Sequence, residues 1–310
     1  MTIPAVPYQP RVFLLRETIG NGRIRRMSGT LYIVATPIGN LEDITQRALR
    51  VLREVELIAC EDTRRTRTLL NHFGISTKTI SYHEHNEIER AKHLVELLES
   101  GKDIALVSDA GTPLISDPGF RILNAAINRG LAVVPVPGAC AAIAALSASG
   151  LASDQFWFRG FLPARSPARR ARLQEARAIK WTLIFYEAPH RIVATLKDAR
   201  DVLGDRDAVV ARELTKLHEE IARGTLSELA ERFSQAAVRG EIVLLIAGAD
   251  DTGSEPDQPF TPSSLIERVR ELEKTGLDSR AALKKAAREL GLKRADAYRQ
   301  MMTQKNLRNK

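Results

Sequence analysis

The hydrophobic positions of the chain alternate between short continuous runs and stretches with helical spacing. From residue 31 to residue 136, five short apolar runs are separated by segments whose apolar residues recur every three or four positions. Buried strands joined by helices give this pattern, and they form a largely parallel sheet. The predicted strands are 31–35, 57–60, 79–81, 104–107 and 132–136, and the predicted helices are 44–53, 66–73, 87–99 and 120–128.

A second set of alternating segments follows the first. A helix of small residues at 141–149 connects the two sets. The second set has predicted strands at 155–158, 181–186, 208–212, 219–223 and 241–247. We therefore predict an α/β fold of two consecutive α/β domains, at residues 28–138 and 139–250, with a cleft between them.

The two ends of the chain differ from this central part. Residues 1–27 have no sustained periodicity, so we predict a disordered N-terminal extension. Residues 251–260 are rich in Asp, Gly, Ser and Pro, which is typical of a linker. Residues 261–310 carry only helical patterns and are predicted to form a small C-terminal helical domain. Its predicted helices are 262–274, 279–290 and 295–304.

The charge of the chain is unevenly distributed. The net charge is +8, and residues 261–310 alone hold 13 Lys and Arg against 6 Asp and Glu. Residues 159–180 hold 7 Lys and Arg against the single Glu175. Concentrated basic charge favours a polyanionic partner, although each run is equally consistent with a solvated helix face.

The composition indicates in which cellular compartment the protein works and which kinds of site it is not expected to have. The two cysteines, Cys60 and Cys140, lie far apart, so no disulfide framework is predicted. His83 and His85 do not have the helix spacing of a zinc pair, and no metal site is predicted. There is no run of eighteen apolar residues and no signal-like N-terminus. We predict a cytoplasmic protein without a membrane span.

Four loops that follow predicted strands are rich in glycine, proline and short polar residues. They lie at 36–40, 108–119, 136–139 and 185–191. The first lacks the glycine spacing of a dinucleotide fold and is not a P-loop. Each loop alone could be a structural turn. Because ligands bind at the carboxyl ends of strands in α/β sheets, four such loops together predict a shared binding cleft.

Six short sequence motifs, most of them in these loops, resemble those of one known family. The chain is similar to the ribosomal RNA small subunit methyltransferase I family, whose members resemble the tetrapyrrole methylases in fold. The motifs are residues 35–41, 61–64, 108–119, 137–138, 186–191 and 240–242. The resemblance implies transfer of a methyl group from S-adenosylmethionine to a cytidine 2′-hydroxyl of 16S ribosomal RNA. It also implies a homodimer and an RNA or small-subunit partner.

The resemblance assigns cofactor-binding residues by position. These are expected to surround S-adenosylmethionine in the cleft between the two α/β domains. They are Asp109, Ala110, Gly111, Leu114, Ser116, Asp117, Pro137, Gly138, Ala139, Tyr186, Leu214, Glu241 and Ile242.

Removal of the hydroxyl proton needs a basic group within hydrogen-bond reach. Asp62, Glu187 and His190 are the expected catalytic residues, with Glu61 and Lys216 as further candidates. Two structural alternatives stay open: Glu187 pairs with Arg191 across one helical turn, and Asp62 caps a helix. The expected RNA-binding residues are Arg64, Arg165, Arg169, Arg170, Arg191, Lys284, Lys285, Lys293 and Arg294.

Two other functions stay open at this point. A tetrapyrrole methylase acting on a porphyrin-like ring would share the fold and cofactor, but it has no need of a basic helical tail. A non-catalytic RNA-binding ribosome-assembly factor would keep the cleft only as a scaffold.

Overall fold

The structure, a computed structural model, describes residues 16–19, 23–26, 28–235, 237–249, 268–270, 272–273 and 278–289. The chain forms two compact units, Met1–Ala249 and Asp250–Lys310. Both predicted α/β domains fall within the first unit. The boundaries at 138 and 250 stay predictions. Of the part of the chain that the structure describes, no helix has the length and apolarity needed to cross a membrane.

The N-terminal half of the first unit is a five-stranded parallel sheet. Its strands are Thr30–Val34 (β3), Leu57–Cys60 (β4), Thr79–Ser81 (β5), Ile104–Val107 (β6) and Ala132–Val136 (β7), in the order β5-β4-β6-β3-β7. The helices are Gln46–Glu54 (α1), Thr63–His72 (α2), Glu87–Glu99 (α3) and Phe120–Asn128 (α4).

Helices cover both faces of this sheet, which explains its apolar strands. Every residue of β6 is buried. Ile104 and Leu106 contribute to one core cluster, whereas Ala105 and Val107 contribute to another. Successive side chains of a strand point to opposite faces, so a strand between two cores must be apolar throughout.

The second half has a mixed five-stranded sheet. Its strands are Phe156–Phe161 (β8), Thr182–Glu187 (β9), Asp207–Arg212 (β10), Glu220–Thr225 (β11) and Ile242–Ile246 (β12), in the order β11-β10-β12-β9-β8. Only the β8–β9 pair in this sheet is parallel. The helices are Ala141–Ser149 (α5), Ser166–Glu175 (α6), Ile192–Leu203 (α7) and Leu226–Ser234 (α8).

The predicted class of two α/β units is confirmed, and the strand positions agree within a few residues. The predictions from the sequence did not include α6, α7 and α8, although α7 and α8 each carry a signal. In α7 the buried residues include Ile192, Leu196 and Leu203, a helical spacing. In α8 the hydroxyl of Thr225 and the carboxylate of Glu228 form a capping box.

The chain ends differ in part from the predictions. Within residues 1–27, which we predicted to be disordered, Arg16–Ile19 (β1) and Arg23–Arg26 (β2) pair as an antiparallel hairpin. Ser279–Glu289 (α9) agrees with the predicted helix at 279–290. The linker at 251–260 and the predicted helix at 295–304 lie outside the described residues.

Candidate active site

A cavity of about 440 Å³ lies between the two sheets of the first unit. The loops after β3, β4, β6, β9 and β10 contribute to its wall, as do residues at the start of β12 and the end of β8. The lining residues are Ile38, Glu61, Arg65, Asp109, Ala110, Gly111, Thr112, Ile115, Ser116, Asp117, Cys140, Ala141, Phe161, Tyr186, Glu187, Ala188, Pro189, Leu214, Gly240, Glu241, Ile242 and Val243.

The 108–119 loop is held by hydrogen bonds to Thr36, two residues after the end of β3. The backbone N–H of Thr36 donates to the Gly111 carbonyl at 2.9 Å, and the Gly111 N–H donates back to the Thr36 carbonyl at 3.1 Å. The hydroxyl of buried Ser108 also donates to the Gly111 carbonyl at 3.1 Å. Gly111 has a φ of +88°, a conformation that favours glycine. The loop is therefore a fixed wall of the cavity.

Two turns of the cavity hold non-glycine residues in the left-handed region. Leu114 and Ser116 have φ values of 73° and 69°, and Glu213 and Thr215 have values of 49° and 66°. Such residues each cost on the order of 1–3 kcal/mol and cluster at ligand clamps. Ser116 and Leu214, which lies between the second pair, both line the cavity. The strained backbone thus borders the ligand space from both halves of the unit.

Lys216, a further candidate base, is held in an ion-pair network. Its Nζ lies 2.9 Å from Glu213 Oε1 and 3.3 Å from Glu241 Oε2. Partial desolvation opposes the charged form, but the hydrogen bonds and charges of the two carboxylates raise the pKa of Lys216 overall. Lys216 is therefore protonated near neutral pH and is not suited to accept a proton.

Three of the five carboxylates that line the cavity, those of Glu61, Asp109 and Asp117, interact with one another, and Arg65 is the arginine among the lining residues. Asp109 pairs with Arg65 at 3.4 Å and accepts the Asp62 N–H at 3.0 Å. Burial and the charge of Asp109 raise the pKa of Glu61. Burial and the charge of Glu61 raise the pKa of Asp117 to about 6. This excess of negative charge favours a cationic ligand group at this end of the cavity.

Glu187 lines the cavity, but its carboxylate is already occupied. The residue is 2% exposed. Oε2 accepts the Thr195 hydroxyl at 2.6 Å, and Oε1 accepts the Ala188 N–H at 2.7 Å and the Arg191 guanidinium. A general base needs a free lone pair directed at the reacting proton. The pair with Arg191 that the sequence left open as a structural alternative is present, and it argues against a catalytic role for Glu187, which stays a prediction.

Asp62 caps a helix, the second structural alternative. It is the residue before α2, and its Oδ1 accepts the Arg64 N–H at 2.8 Å. Hydrogen bonds from the Arg64 side chain and backbone lower its pKa. Neither Asp62 nor His190 lines the cavity, and His190 is exposed in the turn Pro189–Arg191. The structure therefore does not place these two expected catalytic residues at the cavity wall.

We expect substitution of Asp62 to affect stability rather than methyl transfer. In Asp62→Ala, the start of α2 loses its capping acceptor, so the melting temperature should fall by a few degrees. Asp62→Asn retains a good capping side chain and should melt close to the wild type. Both variants should keep their transfer rate below the melting temperature. Loss of transfer in a stable Asp62→Asn would restore the catalytic assignment.

Most of the predicted cofactor residues line the cavity. Leu114, Pro137, Gly138 and Ala139 do not, but some of them support the wall. A Cβ on Gly138 would lie 2.9 Å from the Ala35 Cβ, and the Ala139 carbonyl accepts the Thr112 hydroxyl at 3.0 Å. Those that line it are Asp109, Ala110, Gly111, Ser116, Asp117, Tyr186, Leu214, Glu241 and Ile242.

Part of the basic segment 159–180 is paired with carboxylates, which the sequence alone did not reveal. Arg169 is buried and bonds to Asp198 at 2.6 Å. Arg170 pairs with both Asp198 and Asp201. These pairs, like the one that Arg191 makes, argue against the expected RNA contacts of these three arginines. Arg165 and Arg64 are exposed, whereas Lys293 and Arg294 lie outside the described residues.

Comparison with known proteins identifies the class. A sequence model of the family "Tetrapyrrole (Corrin/Porphyrin) Methylases" matches residues 30–230. The solved structure of uroporphyrin-III C-methyltransferase from Thermus thermophilus, complexed with S-adenosylhomocysteine, has a similar fold. Its TM-score is 0.52 at 19% identity, and the match covers 71% of this chain and 97% of that one. Fold and cavity together define a methyltransferase of the tetrapyrrole methylase type.

The sequence relatives are more specific. Ribosomal RNA small subunit methyltransferase I of Halalkalibacterium halodurans is 49% identical over 271 residues, covering 87% of this chain and 93% of the relative. The protein of the same name from Pseudomonas aeruginosa is 56% identical, covering 71% and 79%. The chain belongs to the ribosomal RNA small subunit methyltransferase I family. The resemblance seen in the sequence is confirmed, and the protein is a methyltransferase that uses S-adenosylmethionine.

The residues of the cavity fit this cofactor. The carboxylates of Glu61 and Asp109 complement a sulfonium and an ammonium group. The apolar and aromatic side chains of Leu214, Ile242 and Tyr186 suit a purine and its ribose. The lining thus offers carboxylates for the cationic groups of the cofactor and apolar side chains for its adenosine part.

Proposed function

We propose that the protein transfers a methyl group from S-adenosylmethionine to a cytidine 2′-oxygen in 16S ribosomal RNA. The observation that carries the proposal is the 49% identity, over 87% of the chain, with a relative named ribosomal RNA small subunit methyltransferase I. The carboxylate-rich cavity in the same chain supports it with a fitting site. We also propose that the enzyme is cytoplasmic, as its composition indicates, and a homodimer, as the resemblance implies.

The chemistry places two demands on the protein. The bound cofactor supplies an electrophilic methyl group on a cationic sulfur. The cavity must hold the 2′-oxygen in line with that methyl group, and a side chain must take the hydroxyl proton as the new O–C bond forms. The fixed 108–119 loop helps to meet the requirement for in-line geometry.

Asp117 is the side chain that we assign to the second demand. Glu187 is bound to Arg191 and Thr195, Asp109 pairs with Arg65, and Glu241 pairs with Lys216. Asp117 lines the cavity, and it has no ion pair among the described residues. Its pKa of about 6 leaves it ionised at neutral pH yet basic enough to accept a proton.

The two rival functions are less well supported. A porphyrin-like substrate would agree with the family model, but the relatives that cover most of the chain carry a ribosomal RNA name. A non-catalytic assembly factor would not need a cavity carboxylate with a raised pKa. The basic C-terminal residues favour RNA over both a porphyrin and an empty scaffold.

The decisive experiment supplies purified protein with S-adenosylmethionine labelled in its methyl group. Small ribosomal subunits and naked 16S RNA serve as parallel acceptors, and the labelled nucleoside is identified after digestion. The proposal requires label on the ribose 2′-oxygen of a cytidine. Label on a base, or cofactor binding with no transfer to either acceptor, would contradict it.

The C-terminal unit should contribute salt-dependent affinity. Lys284 and Lys285 are exposed on α9. In the double variant Lys284→Ala/Lys285→Ala, RNA affinity should fall, and the slope of log affinity against log salt should lose roughly 0.7–0.9 per contact removed. Lys92→Ala, an exposed lysine on α3 without an assigned RNA role, is the control. Equal slopes for the double variant and the wild type would remove the assignment.

A further inference from the structure

The last residue of β8 is an exposed aromatic side chain at the cavity. Phe161 is 58% exposed and lines the cavity. Its ring centroid lies 5.6 Å from that of Tyr186, and Tyr186 lies 5.0 Å from Phe158. The neighbouring rings support Phe161 on one side and leave much of its surface open. An open aromatic face in a binding cavity is suited to a planar ligand group.

An irregularity in β8 gives Phe161 this direction. Phe158 lies opposite Ile184 in β9, and Phe161 lies opposite Tyr186, so three steps along β8 match two steps along β9. Side chains alternate between the faces of a regular strand, and three steps would turn Phe161 away from the face of Phe158. The extra residue forms a bulge that brings both rings onto the face of Tyr186.

Gly160 makes the bulge possible and packs it against the cofactor loop. Its φ is +61°, in the left-handed region. A Cβ at this position would lie 2.6 Å from Oγ of Ser116, which itself has a φ of 69°. Two unusual backbone conformations therefore meet where β8 touches the 108–119 loop. Bulges next to active sites commonly redirect a side chain, and this one directs Phe161 to the cavity.

Two arginines with exposed side chains lie at or beside the cavity, and each is paired with one carboxylate, Arg65 with Asp109 and Arg64 with Asp62. Arg65 lines the cavity and has a side chain that is 68% exposed, and the side chain of the preceding Arg64 is 90% exposed. Sites for single-stranded nucleic acid combine cationic side chains for phosphates with aromatic rings for bases. Sequence-specific recognition of RNA commonly uses unstacked nucleotides whose bases stack on aromatic side chains.

We propose that Phe161 is a substrate-positioning residue on which the unstacked base of the target nucleotide lies. The proposal rests on the proposed function, because it requires an RNA acceptor. Stacking fixes the plane of the base and thereby the position of the attached ribose, whose 2′-oxygen must meet the methyl group. Phe161 is not among the side chains that we assign to the cofactor, so its loss should affect the acceptor.

The test separates binding of the acceptor from binding of the cofactor. In Phe161→Ala, the KM for small ribosomal subunits should rise by at least about five-fold, the lower bound for one lost base stack. The Kd for S-adenosylmethionine, measured by calorimetry without RNA, should stay at the wild-type value. Phe161→Trp keeps an aromatic face and should restore the KM. Phe156→Ala removes the other exposed phenylalanine of β8, outside the cavity lining, and should change neither quantity.

The possible outcomes are distinct. A raised subunit KM, an unchanged cofactor Kd and rescue by tryptophan would support the proposal. A raised cofactor Kd would assign Phe161 to the cofactor instead and overturn it, as would an unchanged KM or a failure of tryptophan to rescue. If Phe161→Ala unfolds, the tryptophan variant alone decides, because it must match the wild type. If the wild-type enzyme places no label on RNA, the proposed function itself fails, whatever the variants do.

Discussion

Replacing Asp117 with Asn should lower the rate of methyl transfer by roughly 100- to 10,000-fold, the range usual for loss of a general base. The amide keeps the shape of the side chain but cannot take the hydroxyl proton. In the wild type, the rate at low cofactor concentration should rise with pH up to about 6 and then level off, because Asp117 must be ionised. Asp117→Asn should lack this acidic limb. Rates of label transfer between pH 5 and pH 8 would measure both effects.

A neighbouring substitution tests the same assignment without touching Asp117. The charge of Glu61 contributes to the raised pKa of Asp117. Glu61→Gln removes that charge, so the acidic limb should move to lower pH. If the acidic limb of the pH–rate profile has the same pKa in Glu61→Gln as in the wild type, another group accepts the proton. The same conclusion follows if Asp117→Asn transfers methyl at the normal rate.

Loss of activity in Asp117→Asn should not reflect unfolding. The folded protein holds the Asp117 proton more tightly than the unfolded chain does, since its pKa is raised from 3.8 to about 6. This group therefore favours the folded state most at low pH, and that contribution is lost as the pH rises through 6. At pH 7 the neutral amide avoids the cost of a partly buried charge. The melting temperature of the variant should equal or exceed that of the wild type.

Replacing Arg191 with Met should lower the free energy of unfolding by about 3–5 kcal/mol, the effect typical of breaking a buried ion pair. The Glu187 side chain is fully buried, and the Arg191 guanidinium is its only ionic partner among the described residues. Arg191 also donates to the Leu162 carbonyl at 3.2 Å. The variant leaves an uncompensated carboxylate inside the protein. Urea unfolding with linear extrapolation measures the loss.

A second substitution should reverse much of this loss. The double variant Arg191→Met/Glu187→Gln has no unpaired buried charge and should be clearly more stable than Arg191→Met alone. Arg64→Met breaks an exposed arginine–carboxylate pair and should have little effect on stability. If Arg191→Met is stable but binds RNA weakly, Arg191 contacts phosphate, as the sequence analysis expected.

Much of the site could be predicted because it follows local rules. Asp109, Gly111 and Asp117 line the cavity because they follow a buried strand, and strand ends of an α/β sheet meet at its ligand-binding edge. The resemblance to the family named these residues, together with Tyr186 and Ile242. Apolar periodicity and the positions of turn residues predicted the loops and the shared cleft, but not the individual cofactor residues.

The roles of individual charged residues could not be predicted in the same way. The basic segment 159–180 is favourable for RNA in sequence, but Arg169 and Arg170 pair with Asp198, which lies far along the chain on α7. Glu187 is equally compatible with catalysis and with an ion pair until the burial of β9 is known. Through-space pairing and burial decide which charges are available to a ligand.

The sequence by itself determined the two α/β units, the cofactor-binding loop and the family, because these depend on hydrophobic periodicity and on short contiguous phrases. Only the tertiary structure decided that Glu187 is an occupied carboxylate, that Asp117 is a partly buried one with no ion pair among the described residues, and that Phe161 faces the cavity. The pairing of Glu187 with Arg191 is local, but its burial depends on the fold, and the other two features depend on residues distant in sequence. The pKa of Asp117 depends on burial and on Glu61, and the direction of Phe161 depends on a bulge that packs Gly160 against Ser116.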